Sequence, residues 1–332
     1  MILIDALYIN YGGAMSLLRY LVEELQKEKV DFYFLVDSRC GDEFKSLPIV
    51  EYRDASLSAR KAFYKQHKND FSSILCFGNV PPPIKLHVPV FTYFHNINML
   101  TLSDCKNKKQ LVKFWLKRLY IKTKKNNTSC WLVQTSNTLN ELTKHLSVSV
   151  EKIKLFPFYK LPCFPASTTQ RTDYIFVGEY SGSKGHDELL DAWRILHESG
   201  VDIALHMTVS IGEVFLERIQ KSLAQGVHII NHGFIPMEEL AQLYMKCKAT
   251  VYPSHNESFG LGLVEAMEAG CDVVAADLPY VHAICTPSEV FNPFSPESIA
   301  QSVLRYEKGD SPRTIKRVSD TIEELVNLVL NR

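Results

Sequence analysis

The sequence predicts an α/β protein built of two doubly wound parallel-sheet domains, and three observations carry that expectation. At 332 residues, 46% of them apolar and 11% aromatic, the chain can bury a large core and exceeds one typical domain. Runs rich in Val, Ile, Phe and Tyr alternate with helical patterns in both halves, which is the rhythm of parallel sheets. A Pro-, Ser- and Thr-rich break at 157–172 separates the halves. The expected division is a first domain over 1–160, a second over 161–310 and a helical tail over 311–332 that packs back on the first. Ligands of such folds bind beyond the carboxyl ends of the strands, so two facing halves would create a cleft.

Strand-like runs in the first half lie at 2–9, 30–36, 74–77, 88–94 and 131–135. The first is apolar but short, lacks a basic leader and carries Asp5, so it reads as a buried strand rather than a signal peptide. Tyr11-Gly12-Gly13-Ala14 then leads into the amphipathic stretch 16–25. A Gly-Gly pair there lets backbone amides approach an anion with no side chain intervening. Run 88–94 ends in His95-Asn96, a histidine at the end of a buried strand. In the second half, runs at 174–177, 203–209, 227–230, 249–252 and 273–276 alternate with helical patterns such as 187–199 and 238–246. The 174–177 strand ends at Gly178, and Lys184-Gly185 follows before a helix. A flexible cation at such a turn can neutralise a leaving diphosphate.

Thirty-seven basic and 37 acidic residues cancel, so no global field argues for nucleic acid. The eight cysteines contain no C-x-x-C pair, which disfavours a zinc site or a disulfide framework and suits a reduced cytoplasm. No apolar run approaches the ~20 residues needed to span a bilayer. Charge concentrates only at 106–125, in Lys106, Lys108, Lys109, Lys113, Lys117, Arg118, Lys122, Lys124 and Lys125, with no acid between Asp104 and Glu141. Leu111, Val112, Trp115, Leu119 and Tyr120 interleave at near-helical spacing. A basic amphipathic helix bearing Trp fits an anionic membrane surface; the plainer alternative is a domain helix whose apolar face is core. Lys113, Trp115, Lys117 and Arg118 are the expected membrane contacts.

The most informative stretch is 251–277, VYPSHNESFGLGLVEAMEAGCDVVAAD. A buried-strand run over 249–254 is closed by Pro253, Ser258 is the expected N-cap, and 261–269 reads as a helix stopped by Gly270. Glu257 then sits just ahead of the helix and Glu265 two turns in, about 12 Å further along the axis at 1.5 Å per residue. Between them, amides near Phe259, Gly260 and Leu261 at the positive helix end form an anion site. Hydroxyl acceptors at both ends with a phosphate cradle in the middle suit a nucleotide sugar.

This segment resembles the E-x7-E motif of retaining GT-B glycosyltransferases of family 4. Pro253-Ser254, Glu257, Phe259-Gly260, Glu265-Ala266, Gly270 and Asp277 stand in the family's order, and 277–285 and 290–300 look like its C-terminal domain. The resemblance implies two Rossmann-like domains facing a cleft, with 1–160 on the acceptor side and 161–310 binding the nucleotide sugar. It also implies a metal-independent hexosyltransferase that moves a sugar, with retention, from a UDP- or GDP-sugar to a glycan or lipid-linked acceptor. The setting implied is cell-surface polysaccharide or lipopolysaccharide synthesis at the inner face of the plasma membrane, with no cofactor beyond the donor. Catalytic roles are implied for Glu257 on the sugar hydroxyls, Lys184 on the diphosphate and His95 near the sugar. Donor contacts are implied for Gly12, Gly13, Gly178, Ser258, Phe259, Gly260 and Leu261, and a ribose contact for Glu265. Thr135-Ser136 resembles a cleft-lining position.

One residue departs from the family pattern. Glu179 stands where an arginine is expected, and an acid beside a diphosphate is unfavourable unless it turns away, pairs with Lys184 or is offset by another cation. Two other classes fit the same features: a GT-B nucleotide-sugar 2-epimerase, which would react with donor alone, and a non-catalytic nucleotide-sugar binder. A nicotinamide dehydrogenase is disfavoured because no G-x-G-x-x-G follows the first strand. The sugar, base, acceptor and linkage depend on a few pocket side chains that spacing does not reveal.

Overall fold

A computed structural model describes residues 1–102, 107–164 and 170–331; Lys106 lies outside them. The chain divides into two units, Met1–Lys160 with Ser319–Arg332, and Leu161–Val318. In the first unit the order is β1 (Ile2–Ala6), α1 (Gly12–Lys27), β2 (Phe32–Asp37), β3 (Val50–Arg53), α2 (Leu57–Gln66), β4 (Ser73–Cys76), β5 (Val90–Phe94), α3 (Asn98–Thr101), α4 (Lys108–Lys124), β6 (Cys130–Val133), α5 (Ser136–Leu146) and β7 (Ile153–Leu155). The second unit runs β8 (Asp173–Phe176), α6 (His186–Glu198), β9 (Leu205–Met207), α7 (Glu213–Ala224), β10 (Ile229–Asn231), α8 (Met237–Lys246), β11 (Cys247–Tyr252), α9 (Leu261–Glu268), β12 (Asp272–Ala276), α10 (Pro279–Ile284), β13 (Cys285–Thr286), β14 (Glu289–Phe291), α11 (Pro296–Glu307) and β15 (Ile315–Lys316). Helix α12 (Ile322–Leu330) closes the chain in the first unit.

Among the described residues each unit holds one main sheet, all parallel: β3-β2-β1-β4-β5-β6-β7 in the first and β10-β9-β8-β11-β12-β14 in the second. The doubly wound α/β expectation therefore holds. Strand alternation builds the first core. Ile2, Ile4 and Ala6 meet Leu18, Leu21 and Leu25 of α1 and Leu325, Val326 and Val329 of α12, while Leu3 joins Leu35, Phe63 and Ile74 on the other face. Asp5, also in β1, is buried with Arg60, whose Nε donates to its Oδ2 at 2.8 Å, and with the Tyr64 hydroxyl at 2.7 Å. A buried carboxylate is tolerated only with such partners.

The tail departs from its expected bounds. Return to the first unit begins at Ser319 rather than at 311, and the helix is confined to α12. The cause is Asp272: its carboxylate accepts from the Thr314 N–H at 2.9 Å and from Arg313 at 2.8 Å, while β15 pairs antiparallel with β13. These bonds keep 311–318 in the second unit. Among the described residues no helix is long and apolar enough to cross a membrane.

Each sheet reverses its strand order at one place, between β1 and β4 and between β8 and β11. Chain leaving neighbouring strands at such a point parts to opposite faces and leaves a crevice.

Candidate donor site

The second unit's crevice is bounded by the loops after β8 and β11, and the two loops are tied together. The His255 N–H donates to the Ser183 carbonyl at 2.8 Å. Gly185 has φ +68°, and a Cβ there would lie 2.9 Å from Pro253 Cβ and closer still to its carbonyl oxygen. Only glycine meets both demands. Behind the turn, His186 places Nε2 3.1 Å from the Gly178 carbonyl. Burial pushes its pKa down to about 4, so the neutral ring donates to that oxygen.

This clamp brings Lys184 and Glu257 together, with Nζ 2.5 Å from Oε1. The Tyr252 hydroxyl donates to the same Oε1 at 3.2 Å. Burial first, then the Glu257 charge, hold the Tyr252 pKa well above its usual value, so the phenol remains a donor.

Helix α9 starts later than expected. Its N-cap is Gly260, at φ +82°, rather than Ser258. No side chain caps the helix and its first turn carries no acid, so the amide end keeps its attraction for an anion. Because Glu257 precedes the helix, helical rise does not measure its separation from Glu265. Glu265 is 4% exposed and accepts from the Tyr244 hydroxyl at 3.0 Å. Burial raises its pKa to about 7 although that bond opposes the rise.

Glu179 resolves its apparent conflict by turning away. Its Oε2 accepts from the Ser210 and Ile211 N–H groups at 2.9 and 3.3 Å, and the Ser210 hydroxyl donates to Oε1. It closes the loop after β9 rather than pairing with Lys184. Gly178 donates its N–H to Thr208 Oγ1 at 3.1 Å.

In the first unit, α1 begins at Gly12 with φ +71°, without a side-chain cap and without an acid in its first turn. A Cβ on Gly13 would meet nothing within 4 Å. His95 is fixed by Asn79, whose Oδ1 accepts from the His95 N–H at 2.7 Å and whose Nδ2 faces ring Nε2 at 3.2 Å. That arrangement makes Nε2 the acceptor and assigns the ring proton to Nδ1, which has no partner among the described residues. Burial pushes the His95 pKa down to about 4. Thr135 caps α5 by accepting from the Thr138 N–H at 3.2 Å. The sequence gives no sign of the Tyr252 and Tyr244 bonds or of the Gly185–Pro253 contact: Tyr252 meets Glu257 within the β11 loop, Tyr244 of α8 meets Glu265 of α9, and Gly185 meets Pro253 where the loops after β8 and β11 lie side by side.

Helix α4 buries only its C-terminal apolar residues: Ile121 lies in the core and Tyr120 packs against it. Leu111, Val112, Trp115, Leu116 and Leu119 are each 42–54% exposed, so this part of the stripe is not core. Lys113 and Lys117 are exposed as well. Arg118 turns inward and donates to the Leu100 carbonyl at 3.0 Å.

Residues 164–321 match the family model described as Glycosyl transferases group 1. The chain is 27% identical over 157 residues to the serotype-specific mannosyltransferase WbdA of Escherichia coli, a match covering 45% of this chain and 19% of that protein. The chain thus spans only about a fifth of that relative's length. It is 23% identical over 300 residues to the O-antigen chain mannosyltransferase B of Escherichia coli, covering 84% of this chain and 78% of the relative. Among solved structures, Anabaena Alr3699/HepE in complex with UDP gives a TM-score of 0.67 at 15% identity, over 99% of this chain and 94% of that one. WaaG, a glycosyltransferase involved in lipopolysaccharide biosynthesis, gives 0.64 at 15% identity over the whole of both chains. The fold is therefore the GT-B fold, and residues 164–321, just under half of the chain, are similar to glycosyl transferases group 1.

Proposed function

We propose that the protein is a retaining, metal-independent glycosyltransferase that moves a hexosyl group from a UDP- or GDP-sugar to a glycan or lipid-linked acceptor in cell-surface polysaccharide biosynthesis. The observation that carries this reading is the Lys184–Glu257 pair beside the uncapped start of α9. An ammonium, a carboxylate and helix amides at one switch point match the charges of a sugar diphosphate. The mannosyltransferase relatives and the UDP bound to HepE point the same way. On this reading the arriving donor separates the pair. Lys184 moves to the diphosphate, the amides of α9 meet a phosphate, Glu257 accepts from sugar hydroxyls and Glu265 from the ribose. In the first unit, the uncapped start of α1 at Gly12 and Gly13 offers amides to an anion, and neutral His95 offers its Nδ1–H to an acceptor oxygen. No covalent nucleophile is assigned. The acceptor attacks on the face the diphosphate leaves, through an oxocarbenium-like state, and a departing phosphate oxygen takes its proton.

The test is a thermal-shift screen of UDP-, GDP- and dTDP-sugars, followed by transfer to glycan and lipid-linked acceptors. A donor at 100 times its dissociation constant adds about 2.7 kcal/mol of stability. No shift with any donor would sink the reading, and isomerised donor in the absence of acceptor would replace it with an epimerase. The exposed stripe and lysines of α4 support a further part of the proposal, peripheral attachment to anionic lipid at the inner face of the membrane.

A further inference from the structure

Asn79, just past β4 in the first unit, takes a left-handed backbone conformation at φ +67° and is 4% exposed. Asparagine enters that region more readily than most residues, and a buried one held there marks a position whose side chain is used. Both polar atoms of the side chain meet the residue that follows β5. Oδ1 accepts from the His95 N–H at 2.7 Å, and Nδ2 stands 3.2 Å from ring Nε2.

The amide has no freedom to turn over. A backbone N–H can only donate, so the oxygen faces it and the NH2 group faces the ring. An amide NH2 can only donate in turn, so Nε2 accepts and carries no proton. The neutral imidazole then holds its one proton on Nδ1, the reverse of the form that a free neutral imidazole prefers. That proton has no protein partner: Nδ1 is buried and unbonded among the described residues, with the Phe77 and Tyr93 rings 5.1 and 6.0 Å away between centroids. A buried donor left unpaired is costly and calls for an explanation, which a ligand oxygen supplies. Because Asn79 occupies the lone pair of Nε2, neither ring nitrogen is free to take a proton from a hydroxyl.

We propose that Asn79 is a positioning residue that sets the tautomer of His95, holding Nδ1–H as a hydrogen-bond donor to a substrate oxygen and removing the ring as a general base. The proposal rests on the glycosyltransferase reading for the identity of the substrate, and on the Asn79–His95 geometry alone for the tautomer. Deprotonation of the acceptor hydroxyl then falls to a group other than His95, as the departing phosphate oxygen of that reading requires.

The experiment reads the His95 ring nitrogens of the full chain by 15N NMR at neutral pH, in wild type and Asn79→Asp, with His95→Ala to assign the signals. Aspartate is nearly isosteric and also enters the left-handed region, and unchanged melting shows that each variant is folded. Wild type should show a protonated Nδ1 and a bare Nε2, which decides the central point without any substitution. In Asn79→Asp a carboxylate faces Nε2 and can only accept, so Nε2 should gain a proton whether the ring stays neutral or charges. The wild-type Nδ1–H signal should also move with ligand. Movement with UDP or GDP alone assigns it a phosphate oxygen, and movement only with UDP-glucose or GDP-mannose assigns it a sugar oxygen. In turnover, Asn79→Gly should lower kcat about tenfold, the scale of one neutral hydrogen bond, and cost nothing further in a His95→Ala background, since residues that act through one another are not additive. A wild-type ring protonated on Nε2, no movement of Nδ1–H with any of these ligands, or losses that add in the double variant would overturn the proposal. A chain with the expected tautomer and ligand response that transfers no sugar overturns the glycosyltransferase reading alone, and one that transfers with Nε2 protonated overturns the role of Asn79 alone.

Discussion

One carboxylate oxygen, Glu257 Oε1, takes both the Lys184 ammonium at 2.5 Å and the Tyr252 hydroxyl at 3.2 Å. The ion pair joins residues 73 apart in sequence because β8 and β11 are parallel neighbours and Gly185 lets their loops close on each other. The two side chains are 27% and 15% exposed. Pairs open to water contribute only about 0–1 kcal/mol to stability, so the arrangement is better explained by what it offers a ligand than by what it adds to the fold.

Lys184→Ala should therefore cut turnover strongly and leave folding nearly intact. Removing one preorganised group that meets developing charge costs roughly 100- to 1,000-fold in kcat. Melting should move by no more than about 2–4 °C, the scale of 1 kcal/mol in a chain of this size. Steady-state kinetics beside calorimetry decides it: near-normal kcat with donor still bound would show that another cation meets the diphosphate.

Glu265 gives a prediction in pH. Its folded pKa, about 7, lies above the ordinary 4.5, so between those values the native state holds a proton the unfolded chain has lost. Stability contributed by this residue consequently falls as pH rises through that window and stays low above it. The penalty at pH 8 is on the order of 3 kcal/mol. Glu265→Gln keeps an acceptor for Tyr244 and has no charge to bury, so it should melt above wild type at pH 8 and with it near pH 4.5. If the ribose assignment is right, the same variant binds nucleotide more weakly at pH 8, by about 1.5–3 kcal/mol. Parallel melting curves across the whole pH range would contradict the buried-carboxylate account.

Gly185→Ala separates conformational strain from contact. A left-handed non-glycine residue costs about 1–2 kcal/mol, and at Gly185 the added Cβ also strikes Pro253. Gly200→Ala is the control, since its φ is +79° and nothing lies within 4 Å of a Cβ there. Gly185→Ala should melt lower than the control and lose donor affinity while the control keeps it. Equal behaviour of the two would mean the loops do not need their close approach.

What the sequence made legible follows from which force shapes each part. Buried central strands such as β1, β5 and β11 are near-continuous apolar runs, because both faces of a parallel sheet are covered. The edge strands β3 and β7 are not legible in the sequence, since VEYR and IKL leave most of their residues partly or fully exposed and carry little apolar signal. The motif residues were legible one at a time, but their partners were not. The bond of Tyr244 to Glu265 and the turn of Glu179 toward Ser210 are relations between neighbouring elements that no spacing along one segment encodes, and the Tyr252–Glu257 bond depends on how the loop after β11 folds back. Ser258 resembled an N-cap by type, yet the positive φ at Gly260 sets the helix start. For α4 the period revealed an apolar stripe without revealing what covers it.

That stripe yields the last prediction. Leu111, Val112, Trp115, Leu116 and Leu119 recur at four-residue intervals on one side of α4, so they share a face. Lys113 and Lys117 stand exposed on the same helix. An exposed apolar stripe set among lysines should enter the headgroup boundary of an anionic bilayer, with the lysines supplying attraction and the stripe supplying hold. The two contributions respond differently to salt, because the Debye length falls from about 10 Å at 0.1 M to about 3 Å at 1 M. Wild type should co-sediment with vesicles containing anionic lipid and partly release at high salt. Lys113→Glu with Lys117→Glu should lose the salt-sensitive part, and Trp115→Glu with Leu116→Glu should abolish binding even at low salt. Arg118 is left alone because its bond to Leu100 belongs to the fold. If folded variants and wild type sediment equally, or wild type ignores anionic vesicles, α4 does not hold the protein on lipid.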